Sequence, residues 1–162
     1  MSLLLQMVDK RVFIGGKERI FRVVPHPGAV CILPWRDGQV ALIRQLRPAV
    51  DKVIWEVPAG TLEDGEDPAQ CAARELAEET GLRAGRLVKL ASFFVAPGYS
   101  SEYMYIYAAL DLEAGERSLD DSEEIDEAQW FSLPQALQMI DEGVIEDAKT
   151  LIALYLAEKK LA

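Results

Sequence analysis

The stretch RELAEETG, residues 74–81, places three carboxylates and one guanidinium close together. Glu75 and Glu79 are four residues apart and Glu78 lies three residues after Glu75, so a helix presents all three on one side. Like charges at this spacing cost roughly 0.2–0.5 kcal/mol per pair on an isolated helix. One interpretation is a solvated acidic face that Arg74 partly compensates. The other is a site for a hard divalent cation such as Mg²⁺, which prefers oxygen ligands.

The loop before this helix supplies further polar groups. The sequence PAGTLEDGEDP, residues 58–68, carries two glycines and four acidic residues. Gly60 allows a tight backbone turn, which would let a main-chain carbonyl join a metal site. The predicted helix has clear ends, because Asp67 is a good N-cap, Pro68 suits the first helical position and Gly81 suits the C-terminal stop.

This loop and helix together resemble the Nudix box. The pattern is Gly, any five residues, Glu, any seven, Arg-Glu, an aliphatic residue, any one, Glu-Glu, any one, Gly and an aliphatic residue. The matching residues are Gly60, Glu66, Arg74, Glu75, Leu76, Glu78, Glu79, Gly81 and Leu82. The resemblance implies an α+β fold, namely a Nudix-type α/β/α sandwich with a mixed sheet and a catalytic loop-helix-loop. It also implies hydrolysis of a nucleoside diphosphate linked to a further group X.

The resemblance implies roles for residues of the box. Glu75 and Glu79 would be the principal ligands of Mg²⁺ or Mn²⁺ and hence central to catalysis, with Glu78 as a further ligand or a group behind the ligands. The main-chain carbonyl of Ala59 would be an additional ligand. Residues with a structural part in the motif are Gly60, Glu66, Arg74 and Gly81. Cations in such a site neutralise a pyrophosphate and lower the pKa of a bound water.

The general base would lie on a loop late in the chain. The acidic segment DDSEEIDE, residues 120–127, takes that place before a predicted strand. The resemblance makes Glu123 or Glu124 the candidate that deprotonates the attacking water. The alternative for either residue is a solvated acidic loop.

Two segments on the N-terminal side of the box resemble those of ADP-ribose pyrophosphatases. They are RQLRPAV, residues 44–50, and WEVPAG, residues 55–60. The resemblance places Arg47 on the pyrophosphate, since a guanidinium pairs well with phosphate oxygens, and Glu56 near the metals or the terminal ribose. The alternative for Arg47 is a surface ion pair.

A third segment, VAPGYSSE at residues 95–102, also resembles that subfamily, with Ala96 where its members carry serine. The resemblance makes Pro97, fifteen residues past Leu82, a substrate-binding residue and places Glu102, also substrate-binding, on the rim of the substrate cleft. The alternative is an ordinary Pro-Gly turn between two strands.

The resemblance further implies an aromatic partner for the adenine and a homodimer. Aromatic residues available for stacking are Trp35, Trp55, Phe21 and Tyr99, and each of them also suits core or interface packing. The N-terminal strands, about residues 1–26, would contribute to the dimer. Residues 9–26 would exchange between subunits, with Arg19 or Arg22 reaching the neighbour's site.

The elements that must position these residues are predicted from apolar alternation and turn signals. Strand-like runs flank GGK and RDG and predict two hairpins, and VIWEV, LVKLASFFV and YMYIYAAL predict further strands. Helices are predicted over residues 68–80, 134–142 and 146–159. Strands, one mid-chain helix, more strands and then helices predict a mixed sheet with helices on both sides.

Helical periodicity also predicts which face of the first helix is buried. The residues on the predicted apolar face are Ala69, Ala73, Leu76 and Thr80. The three carboxylates are expected opposite or to the flank, with Cys71 on their side.

Composition excludes several function classes. The 162 residues suit a single domain, and the formal net charge of −10 argues against a nucleic-acid partner or an anionic membrane. No apolar run approaches the ~20 residues that span a bilayer. With His26 as the single histidine, chemistry based on carboxylates is expected. Cys31 and Cys71 are expected to be buried or half-buried in a reducing cytoplasm.

The sequence-based hypothesis is therefore a Mg²⁺-dependent Nudix hydrolase that cuts ADP-ribose to AMP and ribose 5-phosphate. One alternative is another nucleotide-sugar or dinucleotide pyrophosphatase. An alternative from a different class is a Nudix module that senses a nucleotide without cutting it, although such modules usually lose the carboxylates of the box.

Overall fold

The computed structural model describes residues 6–119, 125–126 and 128–162, so Glu123 and Glu124 lie outside the described residues. The strands are β1 (Val8–Ile14), β2 (Lys17–Val23), β3 (Ala29–Arg36), β4 (Gln39–Arg47), β5 (Lys52–Glu56), β6 (Ala59–Thr61), β7 (Leu82–Phe94), β8 (Tyr103–Ala114) and β9 (Gln129–Ser132). The helices are α1 (Pro68–Thr80), α2 (Leu133–Asp141) and α3 (Ala148–Lys160).

Seven of the strands in the described residues form the main sheet, in the order β5-β4-β3-β8-β7 with β6 paired to β3 and β9 paired to β4. The β3–β8 pair is parallel, while the other pairs of this sheet are antiparallel. The sheet is therefore mixed, as predicted. β1 and β2 form a separate two-stranded sheet.

Helices cover both faces of the main sheet because β3 and β8 are apolar on both sides. Val30 and Ile32 of β3 pack with the α1 residues Ala72 and Leu76 in one cluster. The alternate β3 residues pack with α2 and α3 in the other cluster, whose members include Cys31, Leu33, Leu133, Ala136, Ala153 and Leu154. This alternation gives the α/β/α sandwich and confirms the predicted fold class.

Both predicted hairpins are present. The β1–β2 turn contains Gly15 and Gly16, each with positive φ, and the β3–β4 turn contains Asp37 and Gly38, also both with positive φ. Two successive residues with positive φ match the twist of the flanking strands, which is why these turns favour Gly and Asp.

The three predicted helices are confirmed, with ends set by their caps. Asp67 accepts hydrogen bonds from two N–H groups of the first turn of α1, and Gly81 ends that helix at a φ of 68°. Ser132 caps α2 through a capping box, so this helix begins at Leu133. Asp147 caps α3, which therefore begins two residues later than the periodicity predicts.

The predicted orientation of α1 is wrong. Its buried residues are Cys71, Ala72, Glu75, Leu76 and Glu79, whereas Ala73 is exposed. The cause is β6, which lies against the carboxylate side of the helix. The Sγ of Cys71 is 3.7 Å from the carbonyl oxygen of Thr61 in that strand. Periodicity weighs polarity alone, so it assigns to solvent the carboxylates that the fold encloses.

Both cysteines are free and buried, as predicted. Burial raises the pKa of each thiol to about 12, so both remain protonated at neutral pH. Among the described residues, no helix is both long and apolar enough to cross a membrane.

Candidate active site

The close approach of β6 to α1 depends on Gly60. This residue pairs with Val30 across the sheet, and a Cβ built on it would overlap the carboxylate of Glu75. The φ of Gly60 is not in the left-handed region, so the glycine is needed for space rather than for the tight turn predicted from the sequence.

Arg74 joins three carboxylates of the box. Its Nε and Nη2 donate to the two carboxylate oxygens of Glu66 at 3.0 Å each. Its Nη1 donates to Glu75 Oε1 at 2.7 Å and to Glu78 Oε2 at 3.1 Å. The guanidinium therefore offsets the repulsion among these carboxylates, and it links the loop that carries Glu66 to α1.

This pairing fixes the charges at neutral pH. The hydrogen bond from Arg74 lowers the pKa of Glu66 to about 2, and the hydrogen bond to Glu66 raises the pKa of Arg74. Glu63 strengthens the loop, because its backbone N–H donates to Glu66 Oε2 at 2.9 Å.

Glu79 and Glu75 are the most enclosed carboxylates of the box. The exposed fraction of Glu79 is 1%, and its Oε2 accepts a hydrogen bond from the backbone N–H of Ala59 at 2.9 Å. Glu75 is also buried, between Arg74 and Gly60. Glu78 is partly exposed. The structure thus brings Glu75, Glu79 and Ala59 to one place beside Gly60.

These residues fit a hard divalent cation by type. All candidate side-chain ligand atoms are carboxylate oxygens. The main chain of β6 lies beside them, because Gly60 has no side chain that would separate the two. Within the described part of the chain, no three His, Cys, Asp or Glu side chains are already gathered as a metal cage. Glu75 and Glu78 instead share Arg74.

Arg47 and Glu56 form a second charged cluster on the neighbouring strands β4 and β5. Arg47 donates to Glu56 through Nε at 2.7 Å and through Nη2 at 2.6 Å. The Nζ of Lys149, on α3, also donates to Glu56 Oε2. Glu56 is fully buried, whereas part of Arg47 reaches the surface.

Opposing effects act on the pKa of Glu56. Burial alone would raise it, but the hydrogen bonds and positive charges of Arg47 and Lys149 outweigh burial and hold the pKa below its usual value. Hydrogen bonding to Glu56 raises the pKa of Arg47. Glu56 is thus an ionised, buried carboxylate between two cations.

Pro97 and Glu102 lie in the turn between β7 and β8. The backbone carbonyl of Glu102 accepts a hydrogen bond from Val95, and its backbone N–H donates to Ser100 Oγ. The same turn is tied to the N-terminal segment, because Val24 donates to the carbonyl of Tyr99 at 2.7 Å.

The aromatic candidates for adenine stacking divide into two kinds. Trp35 and Trp55 pack against the core, and Trp55 meets Phe131 edge to face. Phe21 and Tyr99 are exposed.

Sequence reasoning misses Arg117. Its guanidinium donates to the carbonyl of Glu79 at 2.7 Å and to those of Ile125 and Asp126 at 2.7 and 2.9 Å. It therefore joins the end of α1 to the segment that follows Glu123 and Glu124. Because all three acceptors are main-chain carbonyls, no partner residue type marks this role in the sequence. Lys149 is missed as well, since nothing near it in sequence indicates Glu56.

Comparisons with known proteins agree with this geometry. Residues 24–154 match the model of the NUDIX domain. An ADP-ribose pyrophosphatase of Bacillus subtilis (strain 168) is 37% identical over 151 residues, covering 91% of this chain and 81% of that protein. A methanol dehydrogenase activator of Bacillus methanolicus is 40% identical over 150 residues, covering 91% and 80%.

A solved structure described as an ADP compounds hydrolase superposes with a TM-score of 0.86 at 27% identity, covering 99% of this chain and 88% of that one. The matched region contains the whole of β6 and α1, where Gly60, Glu75 and Glu79 meet. The chain belongs to the Nudix family of pyrophosphohydrolases.

Proposed function

We propose that this Nudix hydrolase cuts ADP-ribose to AMP and ribose 5-phosphate. The observation that carries the proposal is the enclosure of Glu75 and Glu79 beside Gly60. The partly exposed Arg47 lies within electrostatic range of this site, because its pKa is raised by the hydrogen bond to Glu56 and also by the charge of Glu79. The names of the Bacillus subtilis relative and of the solved structure support an ADP-linked substrate.

The proposed ligands of Mg²⁺, or of Mn²⁺ in its place, are Glu75, Glu79, Glu78 and the carbonyl of Ala59. When bound, the ion supplies charge neutralisation of the diphosphate and acidification of water. Water oxygen attacks one phosphorus, and the bond from that phosphorus to the bridging oxygen breaks. Glu123 or Glu124 accepts the proton of the water.

The proposed substrate contacts come from residues outside the box. Arg47 pairs with a phosphate oxygen of the diphosphate, and Glu56 orients Arg47 from behind. Pro97 and Glu102 form the rim of the cleft at the β7–β8 turn. One of the exposed aromatic residues, Phe21 or Tyr99, is available to the adenine.

A substrate panel tests the proposed specificity. The purified protein is incubated with Mg²⁺ and ADP-ribose, ADP-glucose, GDP-mannose, NADH or a diadenosine polyphosphate, and products are separated by ion-exchange chromatography. We expect the highest kcat/KM for ADP-ribose, with AMP and ribose 5-phosphate in equal amounts.

Other outcomes of the panel distinguish the alternatives. Preference for another compound would assign a different nucleotide-sugar or dinucleotide pyrophosphatase and contradict the ADP-ribose assignment. Tight nucleotide binding without turnover at any tested divalent ion would favour a sensing module instead. The intact set of box carboxylates argues against the sensing module.

We also propose a homodimer formed through the β1–β2 hairpin. A lone two-stranded hairpin is marginal in water, and this one exposes large apolar side chains. They include Val8, Phe13, Ile14, Ile20 and Phe21. Pairing with a second copy would bury these residues and bring Arg19 or Arg22 toward the partner's cleft.

The oligomeric state tests the homodimer. In light scattering coupled to gel filtration, the wild-type protein is expected at twice the monomer mass, and Phe21→Ser is expected to shift it toward the monomer. Tyr155→Ser is the matched control, since Tyr155 on α3 is 48% exposed and Phe21 is 46% exposed. A wild-type monomer, or equal effects of both substitutions, would contradict a hairpin interface.

Finally, we propose that the protein works in the cytoplasm. Free, buried thiols at Cys31 and Cys71 suit a reducing compartment. The nucleotide-sugar substrates proposed above are compatible with that location.

A further inference from the structure

Lys149 contributes to the second charged cluster from a helix outside the Nudix box. It is the second residue of α3, and its Nζ contacts both Glu56 Oε2 and, at 3.0 Å, Asp147 Oδ1. The lysine therefore bridges the N-cap of α3 and a carboxylate of β5.

The start of α3 is held in place by independent hydrogen bonds. The hydroxyl of Thr150 donates to Asp147 Oδ2 at 2.6 Å, and the backbone N–H of Thr150 donates to the same oxygen at 3.0 Å. The hydroxyl oxygen also accepts a hydrogen bond from the backbone N–H of Val57 at 2.9 Å. Val57 follows Glu56 directly, so α3 is fixed beside the carboxylate that Lys149 contacts.

Glu56 in turn fixes Arg47. The two hydrogen bonds use Nε and Nη2, which leaves Nη1 of this partly exposed guanidinium outside the pair with Glu56. Arg47 donates to both carboxylate oxygens of Glu56, and Lys149 adds a second donor at Oε2, the oxygen that also accepts from Nη2 of Arg47. Because only 15% of its side chain is exposed, Lys149 leaves little access for water to take its place at this oxygen.

We propose that Lys149 is a positioning residue for diphosphate recognition, acting on Arg47 through Glu56. This inference rests on the proposed function in that Arg47 must contact the diphosphate. The lysine does not touch the substrate itself. It holds Glu56 in the one orientation that presents Arg47 to the cleft.

The test compares two lysines that link β5 to the region of α3. Lys149→Met removes the buried contact, while Lys52→Met removes the exposed pair between Lys52 and Glu146. The exposed side-chain fraction is 15% for Lys149 and 56% for Lys52. We expect Lys149→Met to raise KM by about tenfold or more, with a smaller change in kcat, because Glu56 loses a charge-assisted hydrogen bond that fixes Arg47.

Further variants separate positioning from general damage to the fold. Lys149→Arg keeps the charge and should recover most of the wild-type KM. In a Glu56→Gln background, Lys149→Met should change KM little, because the lysine acts through the carboxylate. If Lys149→Met does not fold, Lys149→Gln gives the same comparison with a neutral donor.

The proposal is overturned if Lys149→Met leaves KM unchanged, or if Lys52→Met raises KM as much as Lys149→Met does. It is also overturned if Lys149→Met raises KM as much in the Glu56→Gln background as in the wild type. The measurements use whichever nucleoside diphosphate compound the wild-type protein cleaves best. A wrong ADP-ribose assignment would therefore appear in the substrate panel of the wild type, whereas a wrong role for Lys149 would appear only in these variants.

Discussion

Replacing Glu79 with Gln is expected to lower kcat for ADP-ribose by a factor on the order of 10³. A metal ion that stabilises developing charge supplies several kcal/mol, and each 1.36 kcal/mol corresponds to tenfold in rate. The substitution removes the charge of a proposed metal ligand but keeps an oxygen that can accept the hydrogen bond from Ala59. Thermal unfolding should therefore change little while AMP release collapses.

Glu78→Gln is the matched control for this experiment. Glu78 belongs to the same helix and contacts Arg74, but its side chain is partly exposed, whereas Glu79 is buried. We expect a smaller loss of kcat, and we expect Mn²⁺ titration followed by electron paramagnetic resonance to show weaker binding mainly in Glu79→Gln. Wild-type activity in Glu79→Gln would remove Glu79 from the ligand set.

Gly60→Ala is expected to have the second largest effect. The added Cβ overlaps the carboxylate of Glu75, so either β6 or the side chain of Glu75 must move. Moving Glu75 breaks its 2.7 Å contact with Arg74, and moving β6 disturbs the Ala59 contact with Glu79. Overpacking of this kind costs about 1–3 kcal/mol, and a small displacement of reacting groups costs about 10²-fold in rate.

The loss of stability in Gly60→Ala is measured by urea unfolding, and the loss of activity by AMP release. Gly98→Ala serves as the stability control, because a Cβ on Gly98 has no heavy atom within 4 Å and the residue has no positive φ. An equal free energy of unfolding for Gly60→Ala and the wild type would show that the contact between β6 and α1 has room for a methyl group.

Local signals in the sequence predict much of this fold. The caps of α1 at Asp67 and Gly81 and the turn at Asp37-Gly38 depend on side chains within a few residues, so the sequence specifies them directly. The Nudix box likewise selects Glu75 and Glu79 as candidate site residues, because the motif is defined by residue spacing within one short segment.

Features made by distant residues could not be predicted in the same way. The burial of Glu75 and Glu79 depends on β6 covering them, which helical periodicity does not include. Lys149 meets Glu56 across much of the chain, and Arg117 binds main-chain carbonyls that carry no residue identity. The need for a residue without a side chain at position 60 is likewise apparent only from the packing of β6 against α1.

The parallel pairing of β3 with β8 has a consequence for folding kinetics. Ala29 pairs with Met104, and the loop closed by this pair contains β6 and the whole of α1. Closing a long loop has an entropic cost that must be met before its contacts form, so topologies with such pairs fold slowly. The segment that carries Glu75 and Glu79 packs on both strands that close the loop, because Leu76 shares one apolar cluster with Val30 of β3 and Tyr107 of β8. We therefore expect the enclosure of Glu75 and Glu79 to form late in folding, after β3 and β8 have paired.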